Sequence, residues 1–457
     1  MKEDFSLSHA PLHDIDAIEL LDIVMADDLD LYGPVALAVS GGPDSTALLY
    51  FADLWARQRK RKLLVLTVDH SLRHESSNEA VEVARKVVAM GHTHRVLTWR
   101  GNKPATRIQE TARAIRLTLL SEACYNAGAN TVLLAHHRED QAETLLHRIN
   151  CNTGPEGLAG MALVTSWNGL RLARPFLSVP KDRLLATCRK AGIDYITDPS
   201  NEDLRFARAK LRRLRPALSG IGLTVDRLTR LSNSMSIARC AMSKIVSNWL
   251  ARYAVVYSCG TCRLDRLALQ AEPVYFIVII LRYVLNIAGG CGYPPSSEAM
   301  TKLIDWLTGE SAVWRRTLRG CLLQVDNADL IVMREEVACA PPVFIRRGQV
   351  RCWDGRFLIR NKTNCTINVG SCGTDGWRRI KCSRLTLMLS KELRNLPYPA
   401  RIAWPVVTNL DGSITLPHLV SSEQDALKSN SIGVEICLMS LQAQMIVGLK
   451  VNGKLRM

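Results

Sequence analysis

A short stretch from Val35 to Ser45, VALAVSGGPDS, has the residue types of a phosphate-binding turn. A run of small apolar residues ends abruptly in SGGPDS, and a helical pattern follows. A strand that leads through a glycine-rich turn into a helix presents free backbone N–H groups and the positive helix end to an anion. The glycines let the backbone approach phosphates closely, and the serines add hydroxyl donors. The predicted turn consists of Ser40, Gly41, Gly42, Pro43, Asp44 and Ser45.

The turn carries no lysine where a Walker loop, GxxxxGK[ST], would place one, and Asp44 stands there instead. A carboxylate beside phosphates requires a bridging cation, most simply Mg²⁺. That combination suits cleavage between the α and β phosphates, with AMP transferred and pyrophosphate released. ATP and Mg²⁺ are therefore the expected nucleotide and cofactor.

Two further stretches carry ionisable side chains next to predicted strands. Asp69 ends the predicted strand Leu63–Asp69, and His70 and Arg73 come just after it. Residues at and just past strand ends line the ligand crevice of an open α/β sheet. In AHHREDQAET, residues 135–144, the carboxylates Asp140 and Glu143 are three apart. On a helix they share a face and could hold one cation or one ammonium group, although a solvated helix face would show the same spacing.

The third stretch is basic. Asp198-Pro-Ser-Asn201-Glu-Asp203 leads into the segment Arg205–Arg215, which contains five arginines and one lysine. An ordinary exposed basic helix would look the same. Another arginine-bearing helix pattern, Arg107–Arg116, precedes the His-His stretch and includes Arg113.

The SGGPDS turn resembles the SGGxDS signature of the PP-loop ATP pyrophosphatases, which share a doubly wound α/β fold and activate substrates by adenylation. Because VDHxLR and AHHxxDQxET follow in the right order, residues 35–216 resemble the tRNA(Ile)-lysidine synthetase family. The resemblance implies ATP-dependent ligation of free L-lysine to C2 of the wobble cytidine of tRNA(Ile)(CAU). The reaction passes through an adenylated cytidine, releases pyrophosphate and AMP, and gives lysidine and AUA decoding.

The resemblance also implies a role for each matching residue. The catalytic set is Asp44, Asp140, Glu143, Arg208 and Arg212. The nucleotide-binding set is Ser40, Gly41, Gly42, Pro43, Asp44, Ser45, Asp69, His70, Arg73, Arg113, His136 and His137. Asp44 and Asp140 are the implied Mg²⁺ ligands. The expected RNA contacts are the Arg205–Arg215 segment and, in the tail, Trp377-Arg378-Arg379 with Lys381, although Trp377 could equally be a core residue.

Two alternatives stay open. One is another PP-loop tRNA-modifying enzyme that inserts sulfur, although Cys259 and Cys262 lie outside the nucleotide domain. The other is a catalytically inactive tRNA-binding relative. It stays open because Cys151-Asn152-Thr153-Gly154 stands where the family commonly has Arg-Gly-Ser-Gly.

The elements that must position these residues alternate between strands and helices, which predicts βαβ units and a parallel sheet. The predicted strands are Val35–Ser40, Leu63–Asp69, His94–Trp99 and Thr131–Ala135, and the helices are 46–59, 77–91 and 105–127. The predicted fold class is α/β: a doubly wound parallel-sheet PP-loop nucleotide-binding domain, then a helical domain and a β-rich C-terminal domain. The predicted boundaries are 1–216 with a basic linker at 180–216, 217–335 for a mainly helical tRNA-binding domain, and 342–457 for the β-rich domain.

Composition limits the remaining choices. A formal charge of +16 favours a polyanionic partner such as tRNA. No secretory signal or membrane-spanning run is visible, so the expected location is the cytoplasm, with no membrane partner. The fourteen cysteines are scattered and predict reduced thiols without a zinc site. A homodimer stays open as an assembly state.

Overall fold

The structure is a computed structural model, and the chain forms two compact units, residues 1–241 and 242–457. The structure describes residues 10–26, 28, 33–69, 76–99, 108–151, 153–167, 169–196, 207–290, 292, 294–309, 314–326, 328–383, 389, 391–409, 412–416, 434–438 and 451–452.

The first part of the chain alternates helices and strands. The helices are α1 (Asp14–Met25), α2 (Pro43–Arg59), α3 (Ser76–Ala89), α4 (Ile108–Ala127), α5 (Arg138–Asn150), α6 (Pro155–Leu158), α7 (Lys181–Lys190), α8 (Ala207–Gly220) and α9 (Val225–Tyr253). The strands are β1 (Val35–Ala38), β2 (Leu63–Asp69), β3 (Thr93–Thr98), β4 (Thr131–Leu133), β5 (Val164–Trp167) and β6 (Leu170–Ala173).

These strands form one six-stranded sheet in the order β3-β2-β1-β4-β6-β5. All neighbours pair in parallel except the edge pair β5 and β6. Leu37 of β1 lies opposite Val65 on one side and Leu133 on the other. The four predicted strands and three predicted helices are present with small shifts of their ends, so the α/β fold class is confirmed.

The central strands β1 and β4 are buried on both faces, which explains why β1 reads as an unbroken apolar run. Leu37 belongs to a core shared with α1, α2 and α7, whereas Ala36 faces the opposite core, which α4 covers. The chain leaves β1 toward β2 on one side and reaches β4 on the other. The carboxyl end of β1 is therefore a topological switch point, the place where open α/β sheets bind ligands.

The second unit contains antiparallel sheets. Its helices are α10 (Arg266–Gln270), α11 (Val274–Gly289), α12 (Ser297–Thr308), α13 (Gly373–Lys381), α14 (Lys391–Arg394) and α15 (Tyr398–Ile402), with a 3₁₀ turn at Glu336–Ala338. Its strands are β7 (Ala254–Tyr257), β8 (Cys262–Asp265), β9 (Arg315–Leu318), β10 (Cys321–Asp326), β11 (Asp329–Arg334), β12 (Val343–Ile345), β13 (Val350–Trp353), β14 (Phe357–Asn361), β15 (Ile367–Ser371), β16 (Pro405–Thr408), β17 (Ile414–Thr415), β18 (Val434–Leu438) and β19 (Val451–Asn452).

The three sheets of this unit have the strand orders β19-β7-β8-β11-β10-β9, β12-β15-β16-β17 and β13-β14-β18. Residues 217–335, predicted as mainly helical, also contain β7 to β11. These strands have only four to six residues each, so they do not stand out beside long helical patterns. The three-domain boundaries stay predictions, and antiparallel strands do fill the C-terminal region as predicted. Among the described residues, no helix is both long and apolar enough to cross a membrane.

Candidate active site

The glycine-rich turn lies at the carboxyl end of β1. Gly41 has a φ of +86°, a backbone conformation that favours glycine, and its carbonyl accepts a hydrogen bond from the Ile196 N–H at 2.9 Å. Gly42 is the N-cap of α2, and Pro43 occupies the first helical turn, where its missing N–H has no cost. The backbone N–H groups of the α2 amino terminus are therefore aimed at the switch point of the sheet.

The two serines brace the turn. The Ser40 N–H donates to Ser45 Oγ at 3.2 Å, and the Ser45 hydroxyl donates to the Gly42 carbonyl at 3.0 Å. The two hydroxyl oxygens lie 3.3 Å apart. Ser45 is buried whereas Ser40 is exposed, so Ser40 is the serine that can turn its hydroxyl toward a phosphate.

Asp44 stands in the first turn of α2 with its two carboxylate oxygens in different surroundings. Oδ2 lies 3.6 Å from His137 Nε2 and 3.8 Å from Lys181 Nζ. Oδ1 is buried and has no hydrogen-bond partner among the described residues. Burial raises the pKa of Asp44, and the nearby Asp140 adds to that shift, although His137 and Lys181 oppose it. An unpartnered, buried carboxylate oxygen fits a cation ligand.

His137 joins Asp44 to the amino terminus of α5. Its backbone N–H donates to Asp140 Oδ2 at 3.2 Å, and its Nδ1 lies 3.1 Å from Glu139 Oε2. Burial opposes the charged imidazolium, but Glu139, Asp140 and Asp44 together raise the pKa of His137. Burial would likewise raise the pKa of Glu139, but hydrogen bonds from His137 and from the Lys181 N–H lower it. The pair therefore favours imidazolium and carboxylate.

The carboxylates of α5 face two arginines of α8. Arg212 binds Glu143 through two hydrogen bonds, Nε to Oε1 at 2.7 Å and Nη2 to Oε2 at 3.2 Å. Arg215 Nη2 adds a third at 3.2 Å, and Arg212 Nη2 lies 3.6 Å from Asp140 Oδ1. Glu143 is 4% exposed. The basic segment is thus folded against the carboxylates rather than solvated on all sides.

A cavity of about 320 Å³ lies beside these carboxylates and cations. It is lined by His137, Glu143, Lys181, Arg212, Arg215 and Pro216. The structure therefore brings together Asp44, His137, Asp140, Glu143 and Arg212, which the sequence also singles out. Lys181 and Glu139 complete the site and were not predicted, and Arg215 was predicted only as part of the basic segment expected to contact RNA. Lys181 is the first residue of α7, 137 positions beyond Asp44, and no local pattern links the two.

The other residues predicted for the site lie outside the described residues or do not line this cavity. His70 and Arg73 lie outside the described residues, and Arg208 is in the first turn of α8 with its side chain outside the described part. Asp69 is buried at the end of β2. Arg113 is exposed on α4, and its charge acts on His136.

His136 differs in character from His137. Burial lowers the pKa of His136 to about 3, and its Nδ1 is buried with no hydrogen-bond partner among the described residues. Its imidazole is therefore neutral near pH 7. A neutral ring with a free Nδ1 can accept a hydrogen bond, whereas the charged His137 can only donate.

The loop after α5 is braced despite its departure from the family pattern. Arg148 Nη1 donates to the carbonyls of Gly157 at 2.5 Å and Gly160 at 2.7 Å. Gln141 holds Met161 through two hydrogen bonds, at 2.8 and 2.7 Å. Asn152 lies outside the described residues. The loop is thus attached to α5 by residues other than Cys151 and Asn152.

Of the two alternatives predicted for Trp377, an RNA contact or a core residue, the structure supports the core residue. Trp377 is 7% exposed and packs edge-on against Trp404, with ring centroids 5.6 Å apart. Arg401 covers its ring at 4.7 Å. It shares one side of α13 with the buried Ile380, so Trp377 is a core residue, while Arg378 remains exposed.

Comparison with known proteins agrees with this geometry. Residues 22–218 match the profile of the PP-loop domain family. The tRNA(Ile)-lysidine synthase of Methylobacterium sp. (strain 4-46) is 53% identical over 313 residues, which are 66% of this chain and 89% of that protein. The tRNA(Ile)-lysidine synthase of Bradyrhizobium sp. (strain BTAi1 / ATCC BAA-1182) is 44% identical over 358 residues, 74% of this chain and 97% of that protein. The chain belongs to the tRNA(Ile)-lysidine synthase family.

Membership of the tRNA(Ile)-lysidine synthase family makes the chain a ligase that uses ATP, as predicted. A more distant relative of the same name, from Ruegeria pomeroyi, is 33% identical over 381 residues and covers 82% of this chain. The roles of individual residues stay predictions, and they rest on the contacts described above.

Proposed function

We propose that this enzyme ligates free L-lysine to C2 of the wobble cytidine of tRNA(Ile)(CAU), using ATP and releasing pyrophosphate and AMP. One observation carries the proposal. Asp44, whose Oδ1 has no hydrogen-bond partner among the described residues, and Asp140 lie within 4 Å of His137, Lys181 and Arg212, and these cations line one cavity together with Glu143. An anionic nucleotide and a cationic amine can therefore both find partners of opposite charge in the same space.

The chemistry explains why both partners are needed. The C2 carbonyl of cytosine is a poor electrophile, because the ring nitrogens donate electrons to it and oxide is a very poor leaving group. Transfer of AMP from ATP to the C2 oxygen releases pyrophosphate and converts that oxygen into a phosphate leaving group. The ε-amine of lysine then attacks C2, the C2–O bond breaks, and AMP departs.

The phosphates belong at the turn. The N–H groups at the start of α2 and the Ser40 hydroxyl face the carboxyl end of β1. Lys181, 3.8 Å from Asp44, supplies the point charge that the turn itself lacks, and Arg212 offers a planar guanidinium. Both cations would stabilise negative charge on the departing pyrophosphate.

Mg²⁺ fits at Asp44. No group of three or more His, Cys, Asp or Glu side chains within the described ranges could hold a metal alone. The donor set therefore suits a cation held by one or two carboxylates and by phosphate oxygens, which is how Mg²⁺ binds nucleotides. Asp44 would hold it through Oδ1, with Asp140 near enough to influence Asp44, and the ion would neutralise phosphate charge.

Lysine belongs at the α5 carboxylates. Its ammonium has a solution pKa of about 10.4, so it must lose a proton before the amine can attack. Glu143 is held by three hydrogen bonds from arginines, and this makes it an anchor of fixed charge. Asp140 is held less tightly by Arg212, because its Oδ1 lies 3.6 Å from Nη2, which is longer than a hydrogen bond. We propose that Asp140 is the carboxylate that receives the proton of the lysine ammonium.

The RNA would be bound mainly through its phosphates. The wobble base lies in a single-stranded loop, so the enzyme reaches C2 without melting a duplex. The charge of +16 predicts that tRNA affinity falls steeply with salt. We place the reaction in the cytoplasm, where ATP, tRNA and free lysine meet, and a homodimer stays a prediction.

The test uses purified protein, ATP and an unmodified tRNA(Ile)(CAU) transcript, with and without labelled lysine. The proposal predicts tRNA-dependent pyrophosphate release and entry of label into the RNA. Asp140→Ala should abolish incorporation while tRNA affinity stays near wild type. Asp226→Asn, which removes an exposed carboxylate paired with Arg230, is the matched control and should behave as wild type.

Two outcomes would contradict the proposal. Pyrophosphate release without lysine incorporation would indicate another nucleophile, such as sulfur. Binding of tRNA with no release at all would indicate an inactive relative, and the Cys151-Asn152 departure would then be the first site to revert to Arg-Gly.

A further inference from the structure

Tryptophan exposure distinguishes one residue of the second unit. All nine tryptophans lie in the described part of the chain, and seven of them are 8% exposed or less. Trp167 is half-buried, whereas Trp314 is 67% exposed. A lone exposed aliphatic side chain needs no explanation, but an exposed indole is a large apolar surface with few reasons to face water.

Trp314 adjoins an edge strand that is rich in arginine. It immediately precedes β9, whose one neighbour in the described sheet is β10. Arg315 and Arg316 follow it and are both exposed. The stretch from 311 to 325 contains no Asp or Glu. Among the described residues, neither Arg315 nor Arg316 forms an ion pair with a carboxylate.

The strand fixes how these side chains are arranged. Alternation along β9 puts Trp314 and Arg316 on one side and Arg315 on the other. The Val325 N–H donates to the Trp314 carbonyl at 3.0 Å, so the backbone at the indole is tied to β10. Arg315 Nε donates to Gln324 Oε1 at 2.9 Å, and Arg316 Nη1 reaches the Lys302 carbonyl of α12 at 3.5 Å. Neither bond neutralises an arginine charge.

This combination fits one kind of partner. Single-stranded RNA is recognised by aromatic side chains that stack on unpaired bases and by arginines that contact the flanking phosphates. Tryptophan and arginine also anchor protein–protein interfaces, so the indole alone does not identify the partner. The exposed arginines beside it favour a partner that is rich in negative charge. The net charge of the chain also favours a polyanion.

We propose that Trp314 and Arg316, on one side of the β9 edge, form an RNA-contacting surface, which stacks one unpaired base of the tRNA and binds a neighbouring phosphate. The inference rests on the proposed function for the identity of the RNA. It also replaces the RNA contact predicted at Trp377, because both segments read Trp-Arg-Arg but only Trp314 leaves its ring available.

The experiment measures tRNA affinity by filter binding over a range of salt concentrations. Trp314→Ala should weaken binding about tenfold, the usual effect of losing one stacked base, and Trp314→Phe should retain most of the affinity. Arg316→Gln should reduce the slope of log affinity against log salt by about one. Arg263→Gln is the control: this arginine lies in the same sheet but is ion-paired with Asp329 at 3.4 Å.

Lysidine formation provides the second readout. If the surface only binds RNA, Trp314→Ala raises the KM for tRNA and leaves kcat at saturating tRNA unchanged. Unchanged tRNA affinity in Trp314→Ala, with the fold verified by circular dichroism, would overturn the inference. The inference would also be overturned if the wild type is a dimer and Trp314→Ala dissociates it without changing RNA affinity. The indole would then contact a second copy of the chain and not RNA. If the wild type modifies no tRNA yet binds it through Trp314, the proposed function fails and this surface stands.

Discussion

The two adjacent glycines of the phosphate turn should respond differently to the same substitution, one mainly in stability and the other mainly in ATP binding. Gly41 has a φ of +86°, and a Cβ there would lie 2.7 Å from Ile196 Cδ1 and 3.0 Å from Val83 Cγ2. Gly42 has a φ of −67°, and a Cβ there would meet nothing closer than Ser40 Oγ at 3.7 Å. Alanine at the first position is both strained and crowded, whereas alanine at the second is neither.

The magnitudes follow from these contacts. A non-glycine residue in the left-handed region costs about 1–2 kcal/mol, and the crowding adds about 1 kcal/mol, because the nearest atom, Ile196 Cδ1, is the end of a flexible side chain. Gly41→Ala should therefore lose about 2–3 kcal/mol, or about 4–10 °C in Tm at this size of unit. Gly42→Ala should lose no more than about 1 kcal/mol, the cost of alanine at an N-cap.

ATP binding should separate the two variants again. If Gly42 is the point of closest approach between backbone and phosphates, its methyl group blocks that approach. We expect Gly42→Ala to weaken ATP binding at least about tenfold, or about 1.4 kcal/mol, while its Tm stays near wild type. Differential scanning calorimetry and isothermal titration calorimetry measure the two quantities. A Gly41→Ala protein as stable as wild type, or a Gly42→Ala protein with full ATP affinity, would refute the reasoning.

Three further predictions concern the charged groups. Glu143→Gln removes the carboxylate that the two guanidinium groups of α8 share, and it should lower the free energy of unfolding in urea by about 2 kcal/mol. The loss is smaller than for a fully buried pair because both arginines are partly exposed. An unchanged midpoint would mean that the ion cluster adds no stability. The raised pKa of His137 means that its stabilisation is complete below its ordinary value of about 6.5 and is lost as pH rises through the raised value. His137→Gln should flatten that alkaline decline in Tm, and a parallel decline in the variant would assign it elsewhere. Asp44→Asn removes the carboxylate of the turn, whose Oδ1 has no hydrogen-bond partner among the described residues, so ATP titrations should lose their dependence on Mg²⁺. A retained dependence would place the cation at another ligand.

Local patterns predict the first unit well. β1 reads as a buried strand because both of its faces are covered, and the glycine pair before Pro43 marks both the turn and the start of α2. Asp140 and Glu143 share a helix face because they are three residues apart on α5, and both lie near the same arginine. The apolar run, the glycine pair and the spacing of the two carboxylates can each be read from a few neighbouring positions in the sequence.

Contacts between residues far apart in the sequence could not be predicted in this way. Lys181 meets Asp44 across 137 positions, and Arg215 meets Glu143 across 72, and no local spacing records either contact. Trp377 and Trp314 each precede two arginines, so composition cannot separate a core residue from an exposed one. The spacing of Trp377 and Ile380 on α13 is the one local sign of a buried stripe.

The most direct test of the central claim follows the label of [α-³²P]ATP when lysine is withheld. The proposed reaction predicts that label accumulates on the tRNA as an adenylated cytidine and is released as AMP once lysine is added. Glu143→Gln should accumulate the labelled tRNA and fail to discharge it. Label found on lysine instead of on the tRNA would contradict the account, because the amino acid and not the base would then be the activated partner.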